Sequence, residues 1–226
     1  MKGVSVPSGR LDLWPGRAVY TGLGYQTAVH RHLASELGVS LGQPLMIASG
    51  TEPPAPHAGF LVSPNVLHAV GAAGVQGVFV WSESLAVQQR LRSGLHQLAA
   101  GLTKGLADEV FATLEELRAP GVDELLLRAA GQPEPVLPNP EHRVGAALDA
   151  LNDPELLYAE RPLAHLAERV RLSSSRLRHL VHEQTGISLR RHLLWRRLLF
   201  ALRESGGGSS LTEAAHAAGF ADSAHF

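Results

Sequence analysis

The sequence predicts an α+β protein: an N-terminal β-barrel or sandwich, a helical region beside it, and an all-α domain built on two helix-turn-helix units. Three observations carry that prediction. Short apolar runs separated by Gly, Pro, Asn and Ser fill residues 17–81, the spacing of strands in a small barrel or sandwich. From Ser84 the apolar residues recur at helical intervals. Between the two parts lies GQPEPVLPNP, Gly131 to Pro140, with four prolines, which blocks helix and favours an extended, semi-rigid connector. The expected organisation is therefore a barrel over 1–82, a helical region over 83–130, a linker over 131–140 and a helical domain over 141–226. A length of 226 residues agrees, being more than one domain usually needs.

The strands are expected in VYTGLGYQTAVH (Val19–His30), PLMIAS (Pro44–Ser49), GFLVS (Gly59–Ser63), LHAV (Leu67–Val70) and VQGVFVW (Val75–Trp81). Next, Leu91, Leu95, Leu98 and Leu102 follow the i, i+4, i+7, i+11 spacing of one helical face, and Val110, Leu114 and Leu117 start a second stripe. Such helices either cover the barrel or pair with a second copy, and the expectation is a homodimer built through the first stripe. In the last domain Val144, Leu148 and Leu151 open a helical run that Asn152, Asp153 and Pro154 break.

Composition narrows the chemistry. Cysteine is absent, which removes disulfides, thiolate nucleophiles and Cys-ligated zinc, so a metal site has to use some of the 12 histidines. No apolar run approaches the roughly 18 to 20 residues that span a bilayer, and MKGVSVPSGR has no signal core. No membrane is involved on this reading, and a cytoplasmic location is expected. The net charge of −1 is unevenly spread: Arg161 to Arg203 holds ten arginines against Glu168 and Glu183. A basic stripe of this kind suits a polyanion, whose condensed counterions it releases.

That stripe coincides with a helix-turn-helix pattern. Pro162 to Val170 reads as a short helix buried through Leu163, Leu166, Ala167 and Val170, with proline in its first turn. A tight turn follows at Arg171 and Leu172. Ser173 is a good N-cap for a second helix, with Leu177, Leu180 and Val181 as its apolar stripe and Gly186 as its left-handed stop. Its polar side carries Ser175, Arg176, His179 and His182, with Arg178 at the flank, a set suited to base edges and phosphates in a major groove. A second copy opens at the capping box Ser210 and Glu213, continues through Leu211, Ala214, Ala215 and Ala218, and turns at Gly219. Leu189 to Leu202 is an amphipathic helix of about 21 Å that would separate the two units.

The run LAERVRLSSSRLRHLVHEQTGISLRRHLLWRRLLFALRES with LTEAAHAAGFADSAHF resembles the DNA-binding domain of the AraC family of bacterial transcription regulators, over roughly Leu148 to Phe226. The most specific piece is AAHAAGFADSAHF. The resemblance implies a dimeric activator or repressor with an N-terminal sensing domain, working on double-stranded DNA and with RNA polymerase as a partner. It also implies a first recognition helix over Ser174 to Gln184, so that Ser174, Ser175, Arg176, Arg178, His179 and His182 would contact DNA. Arg171 stands in the first turn where the family usually has glycine, so that either the turn is strained or the arginine reaches a phosphate instead. The sequence ends at Phe226, where the resemblance places the start of the second recognition helix.

In the N-terminal part, Gly24 is followed by His30, His32 and Glu36, with Gly59, Pro64 and His68 downstream. This order resembles the two cupin motifs, although Asn65 and Val66 occupy positions at which glycine is common. Alternation along a strand would point His30 and His32 to one face. A turn at Ala34 would bring Glu36 opposite them, and His68 would close the set. Three imidazoles and a carboxylate suit a divalent transition metal, Zn, Fe, Ni, Mn or Cu, with His57 as a spare ligand. The same cavity could instead hold an organic effector against Trp81, Phe60 and Tyr25. The expected function is thus a sequence-specific regulator, not an enzyme, whose cupin-like domain senses a metal or small effector. Its rivals are a metal-dependent cupin enzyme with an accessory helical domain, and an RNA or protein interaction module.

Overall fold

The computed structural model describes residues 4–6, 8–50, 52–88, 90–91, 94–113, 116–131 and 142–204. The second helix-turn-helix expected over 210–226, and Leu114 of the second stripe, lie outside them. The chain divides into two compact units, Met1–Val136 and Leu137–Phe226.

The first unit runs β1 (Val4–Val6), β2 (Gly9–Trp14), β3 (Arg17–Leu23), β4 (Ser35–Ser40), β5 (Leu45–Ser49), β6 (Ala55–His57), β7 (Gly59–Val62), β8 (His68–Gly71), β9 (Gln76–Ser82), α1 (Leu85–Gln88), β10 (Leu95–Gln97), α2 (Ala100–Thr113) and α3 (Ala119–Ala129). Seven strands form one sheet in the order β1-β2-β3-β9-β4-β7-β10, and three form another, β6-β5-β8. The seven-stranded sheet separates two cores by alternation of side chains along its strands. Val78 and Val80 of β9, with Leu37 and Val39 of β4 and Leu61 of β7, join Leu106, Val110, Val122 and Leu125 under α2 and α3. Phe79, Phe60 and Val62 face the other way and meet Leu45 and Ile47 of β5 and Val70 of β8. The second core therefore fills the space between the two sheets. Among the described residues no ladder joins these sheets; single bridges, Gln26 to Gly71 and His30 to His68, tie the segment before β4 to β8. The result is a pair of facing antiparallel sheets.

Close approach inside it depends on Gly38, where a Cβ would lie 2.1 Å from the Phe60 ring. A polar clamp fixes the cover: Arg17 of β3 holds Asp123 of α3 through two bonds, Nε at 3.0 Å and Nη2 at 2.7 Å, and the Ser82 hydroxyl of β9 donates to the same carboxylate at 2.5 Å.

Two expectations fail here. The run Val19–His30 is a strand only to Leu23; residues 24–34 are irregular apart from their bridges. The stripe Leu91, Leu95, Leu98 and Leu102 is not one helical face. Leu95 is on β10, which pairs with β7, Leu91 and Leu98 pack into their own unit's core, and only Leu102 of the four is exposed. Gly94, at φ 136, breaks the helical path between them. The helices that do form, α2 and α3, cover the sheet with their apolar faces, so a dimer interface through that stripe is excluded.

The second unit runs α4 (His142–Ala150), α5 (Pro154–Leu157), α6 (Pro162–Arg169), α7 (Ser174–Thr185) and α8 (Leu189–Glu204). Asp153 caps α5, accepting from the Glu155 N–H at 3.1 Å, which is why the Asn152–Pro154 break is sharp. Two of the ten arginines turn inward to hold α8 in place. Arg196 donates to Asn152 Oδ1 at 2.9 Å, and Arg197 donates to the Leu157 carbonyl at 3.0 Å while lying 5.5 Å from the Tyr158 ring centroid. Among the described residues no helix is long and apolar enough to cross a membrane.

His192 of α8 gives this unit a pH dependence. Burial, then the charges of Arg196 and Arg191, pull its imidazole down from 6.5 to about 4. The folded ring is neutral, so the unfolded chain takes up the proton first. Stability is full above pH 6.5 and is lost as the pH falls towards 4, by about 3 kcal/mol in total. Between pH 7 and pH 5 the urea-unfolding free energy of the second unit should fall by about 2 kcal/mol more than in a His192→Leu variant. Parallel pH profiles for the two proteins would rule this out.

Candidate metal centre and nucleic-acid interface

Glu36 owes its place to alternation on β4. Leu37 and Val39 face the helices, so Glu36 faces the space between the sheets, paired in register with Trp81 on one side and Val62 on the other. His68 opens β8, and its backbone exchanges two 2.9 Å bonds with His30. His32 lies on the same segment as His30, and its carbonyl accepts from the Asn65 N–H at 2.9 Å. Asn65 has φ 64, the left-handed conformation that asparagine tolerates and glycine favours. Asparagine thus fills the position at which the cupin pattern has glycine.

These elements bring His30, His32, His68 and Glu36 together. One ligand nitrogen from each of the three rings lies within 4.8 Å of the others, and the ring centroids are 4.4 to 5.6 Å apart. Each imidazole is oriented from behind: the Nδ1–H donates to a backbone carbonyl at 2.9 Å, His30 to Ala28, His32 to Ala34 and His68 to Val66. A carbonyl only accepts, so the proton of each neutral ring is on Nδ1 and Nε2 keeps its lone pair. Yet Nε2 of His32 lies 2.7 Å and Nε2 of His68 3.3 Å from one oxygen, Glu36 Oε2. Lone pairs facing a carboxylate need a proton on each nitrogen or a cation among them. The donor set therefore fits a metal ion, and the carbonyl bonds are of the kind that fix the tautomer of metal-binding histidines.

The charges agree with this geometry. Burial pushes the Glu36 carboxyl up, but bonds to His32 and His68 outweigh it and hold the group down at about 2. Burial also opposes protonation of His68, yet the Glu36 bond and charge leave it raised. His30 is lowered, chiefly by burial and then by the neighbouring His68 and His32. His57 is not part of the converging group.

Tyr25, Phe60 and Trp81, expected as barrel walls, are placed around this centre to different degrees. Phe60 is fully buried in the inner core with Trp81 against it. Tyr25 is 40% exposed, its ring centroid 5.8 Å from that of Phe79, and its phenol is pushed up by burial and by the charges of Glu36 and Tyr20. Phe79, which stacks on Trp81 at 6.2 Å, had no place in the sequence reading because it looked like any apolar strand residue.

In the second unit, Ser173 caps α7, its hydroxyl accepting from the Arg176 N–H at 3.2 Å, and Gly186 ends it at φ 68. Leu177, Leu180 and Val181 are buried, which turns Ser175, Arg178, His179 and His182 outward; Arg176 is also exposed, and Ser174 is half-buried. The Arg178 Nε donates to the Ser174 carbonyl at 3.2 Å, and His179 lies 3.8 Å from Glu183. At about 100° per residue, Arg176 and Arg178 flank this face on its two sides.

Arg171 adopts φ 54 in a Schellman turn closing α6: its N–H donates to the Glu168 carbonyl and the Leu172 N–H to that of Ala167, both at 2.9 Å. A left-handed L-residue costs about 1 to 2 kcal/mol, and glycine would relieve it. Arg171→Gly should raise the stability of this unit by about 1 kcal/mol while weakening DNA binding for every sequence alike. Unchanged DNA affinity in a filter or anisotropy titration would show that the exposed guanidinium touches no phosphate.

Residues 166–226 match a family described as a helix-turn-helix domain. Among solved structures, ToxT from Vibrio cholerae O395 is similar over 93% of this chain and 90% of its own, at 10% identity and a TM-score of 0.54. The same protein bound to (E)-4-(8-methylnaphthalen-1-yl)but-3-enoic acid is similar over 93% and 91%, at 11% identity and a TM-score of 0.51. None of the curated proteins matches the chain in sequence. The matched segment makes the second unit a helix-turn-helix domain. That domain is of the AraC type, and the chain as a whole shares the fold of ToxT.

Proposed function

We propose that this regulator is metal-responsive: a divalent transition metal, one of Zn, Fe, Ni, Mn or Cu, held by His30, His32, His68 and Glu36 sets the affinity of the helix-turn-helix domain for double-stranded DNA. The observation that supports the reading is the convergence of three Nδ1-anchored imidazoles, two of which, His32 and His68, turn Nε2 on the buried Glu36 carboxylate. When bound, the ion would take the place of protons between the imidazoles and Glu36. The four side chains span three pieces of the fold, namely the segment before β4, β4 itself and β8. Closing them on one ion would pull β4 towards the centre, and Leu37 of β4 packs under α2 and α3. In this reading the protein is a cytoplasmic homodimer that places two DNA-binding domains on paired half-sites and presents them to RNA polymerase. Its subunit interface is on a surface other than the Leu91 to Leu102 stripe. On this reading the site serves regulation, the helix-turn-helix being the effector part.

The test is a binding titration on operator fragments selected from random duplexes, with metal-replete and chelator-treated protein at one salt concentration. A coupling of 1 to 3 kcal/mol, about 5- to 150-fold in affinity, is expected between the two forms. Equal affinity in both would leave the metal structural. ToxT, a fold neighbour, is described as bound to a naphthalenyl butenoic acid, which favours an organic acid as a second input to the same domain.

A further inference from the structure

Polar and apolar groups also meet at β10, the last strand at one edge of the large sheet. The Ser63 N–H donates to the Gly94 carbonyl and the Leu98 N–H to the Gly59 carbonyl, both at 3.0 Å. The backbone of residues 94, 96 and 98 therefore faces β7, and the Gln97 N–H points outward along the edge. Opposite residues of an antiparallel pair share a face. His96, the register partner of Leu61, thus lies on the side that α2 and α3 cover, whereas Val62, next to Leu61, lies on the side of Glu36. On the helix side a cavity of about 290 Å³ opens beside His96. Leu61, Leu91 and Leu98 make its lining apolar, and the small side chains of Ala129 and Ala130, at the end of α3, leave it room. Arg90, half-buried like His96, adds a guanidinium to the same lining.

We infer that this cavity is a binding site for a small branched aliphatic carboxylic acid, its carboxylate held by Arg90 and His96 and its hydrocarbon end laid against the leucines. The size agrees: an apolar cavity of about 150 Å³ holds benzene, so one of about 290 Å³ has room for such a body and a carboxylate together. Among the described residues no Phe, Tyr or Trp lines it, so nothing there favours a flat body over a branched one. A guanidinium matches a carboxylate with two parallel N–H bonds, and the Gln97 N–H adds a donor from the sheet edge. A dianion such as phosphate fits less well, because the last carbonyls of α3 bring the negative end of a helix dipole to the same cavity. Occupancy would tie Arg90, between α1 and β10, to the final turn of α3, the last described element before the proline-rich connector. The site is separate from the metal centre and does not depend on it.

The probes are 4-methylpentanoate, its neutral amide 4-methylpentanamide, and acetate, which has the charge without the hydrocarbon body. Each is titrated into the full chain and followed by the backbone amide signals in NMR spectra, the wild type being compared with Arg90→Gln and Ala130→Leu. The second variant fills the cavity and keeps Arg90 and His96. Expected with 4-methylpentanoate are shifts that saturate at one site per chain and are largest at Leu61, His96 and Ala130. Binding should be about tenfold weaker for the amide, for acetate and in Arg90→Gln, the loss of one charged hydrogen bond or of the apolar contact. Ala130→Leu should show no saturable shift while its spectrum otherwise overlays that of the wild type; if it fails to fold, Arg90→Gln decides alone. The inference is overturned if 4-methylpentanoate gives no saturable shifts, if the shifts centre on His30, Glu36 and His68, or if folded Ala130→Leu or Arg90→Gln binds the acid as tightly as the wild type. An amide that binds as tightly as the acid overturns it too.

Discussion

Replacing His30 and His32 by alanine together should abolish the proposed metal binding, with one ion per chain expected in the wild type. The effect is large because the two rings supply half of the donor set, and the remaining His68 and Glu36 make a pair that also neutralises itself without a metal. Both replaced side chains are partly exposed, so the sheets and their two cores are untouched and the variant still folds. Metal that binds only the folded state at 100 times its dissociation constant stabilises by about 2.7 kcal/mol. For a unit of this size that is a rise of roughly 10 °C in unfolding midpoint. The rise should appear in the first unit of the wild type on adding zinc, and be missing in the variant. Elemental analysis beside calorimetry checks both halves. Equal, substoichiometric metal in the two proteins would leave the barrel as a pocket for an organic effector alone.

Much of the site was legible before the fold because its residues are few, polar and regularly spaced. The order His30, His32, Glu36, His68 marks a convergence in which His32 and His68 meet one oxygen of Glu36 and His30 lies beside their rings. Alternation along a strand is not what brings the first two together. His30 and His32 do not share a strand face; they lie on an irregular segment held by the bridge to His68, a long-range pairing that one segment's pattern does not contain. The strands at Leu45, Gly59, His68 and Gln76 stood out by their apolar runs. Missing from the reading were β1, β6 and β10, which at three residues each are too short to show alternation, together with β2 and β4. In SELGVS of β4, glutamate and glycine take the inward positions and hide the strand from any hydrophobic count. The leucine stripe failed for the opposite reason: four apolar residues fell at helical intervals by coincidence, and only tertiary pairing of β10 with β7 separates them. The first helix-turn-helix was readable in detail because its signals, Pro162, Ser173 and Gly186, are local.

Arg176→Ala with Arg178→Ala should reduce affinity for a selected operator by at least about 30-fold at moderate salt, the lower end for two contacts at about 1 kcal/mol each. The two side chains are exposed, and α7 is held by Leu177, Leu180, Val181 and the Ser173 cap, so the loss is one of contact and not of fold. We propose a division of roles between them. With Arg178 as a base reader, its single variant should lose affinity for the operator and keep its non-specific binding. With Arg176 as a phosphate contact, its variant should weaken every sequence alike and reduce the slope of log affinity against log salt by about 1. Ser173→Ala supplies the control, because losing the cap costs about 1 kcal/mol of stability without removing a cation, so its salt slope should match the wild type. Anisotropy titrations over several salt concentrations read all three quantities. A double variant that binds the operator as tightly as the wild type would remove α7 from the DNA interface, and identical salt slopes for the two single variants would remove the division of labour between the two arginines.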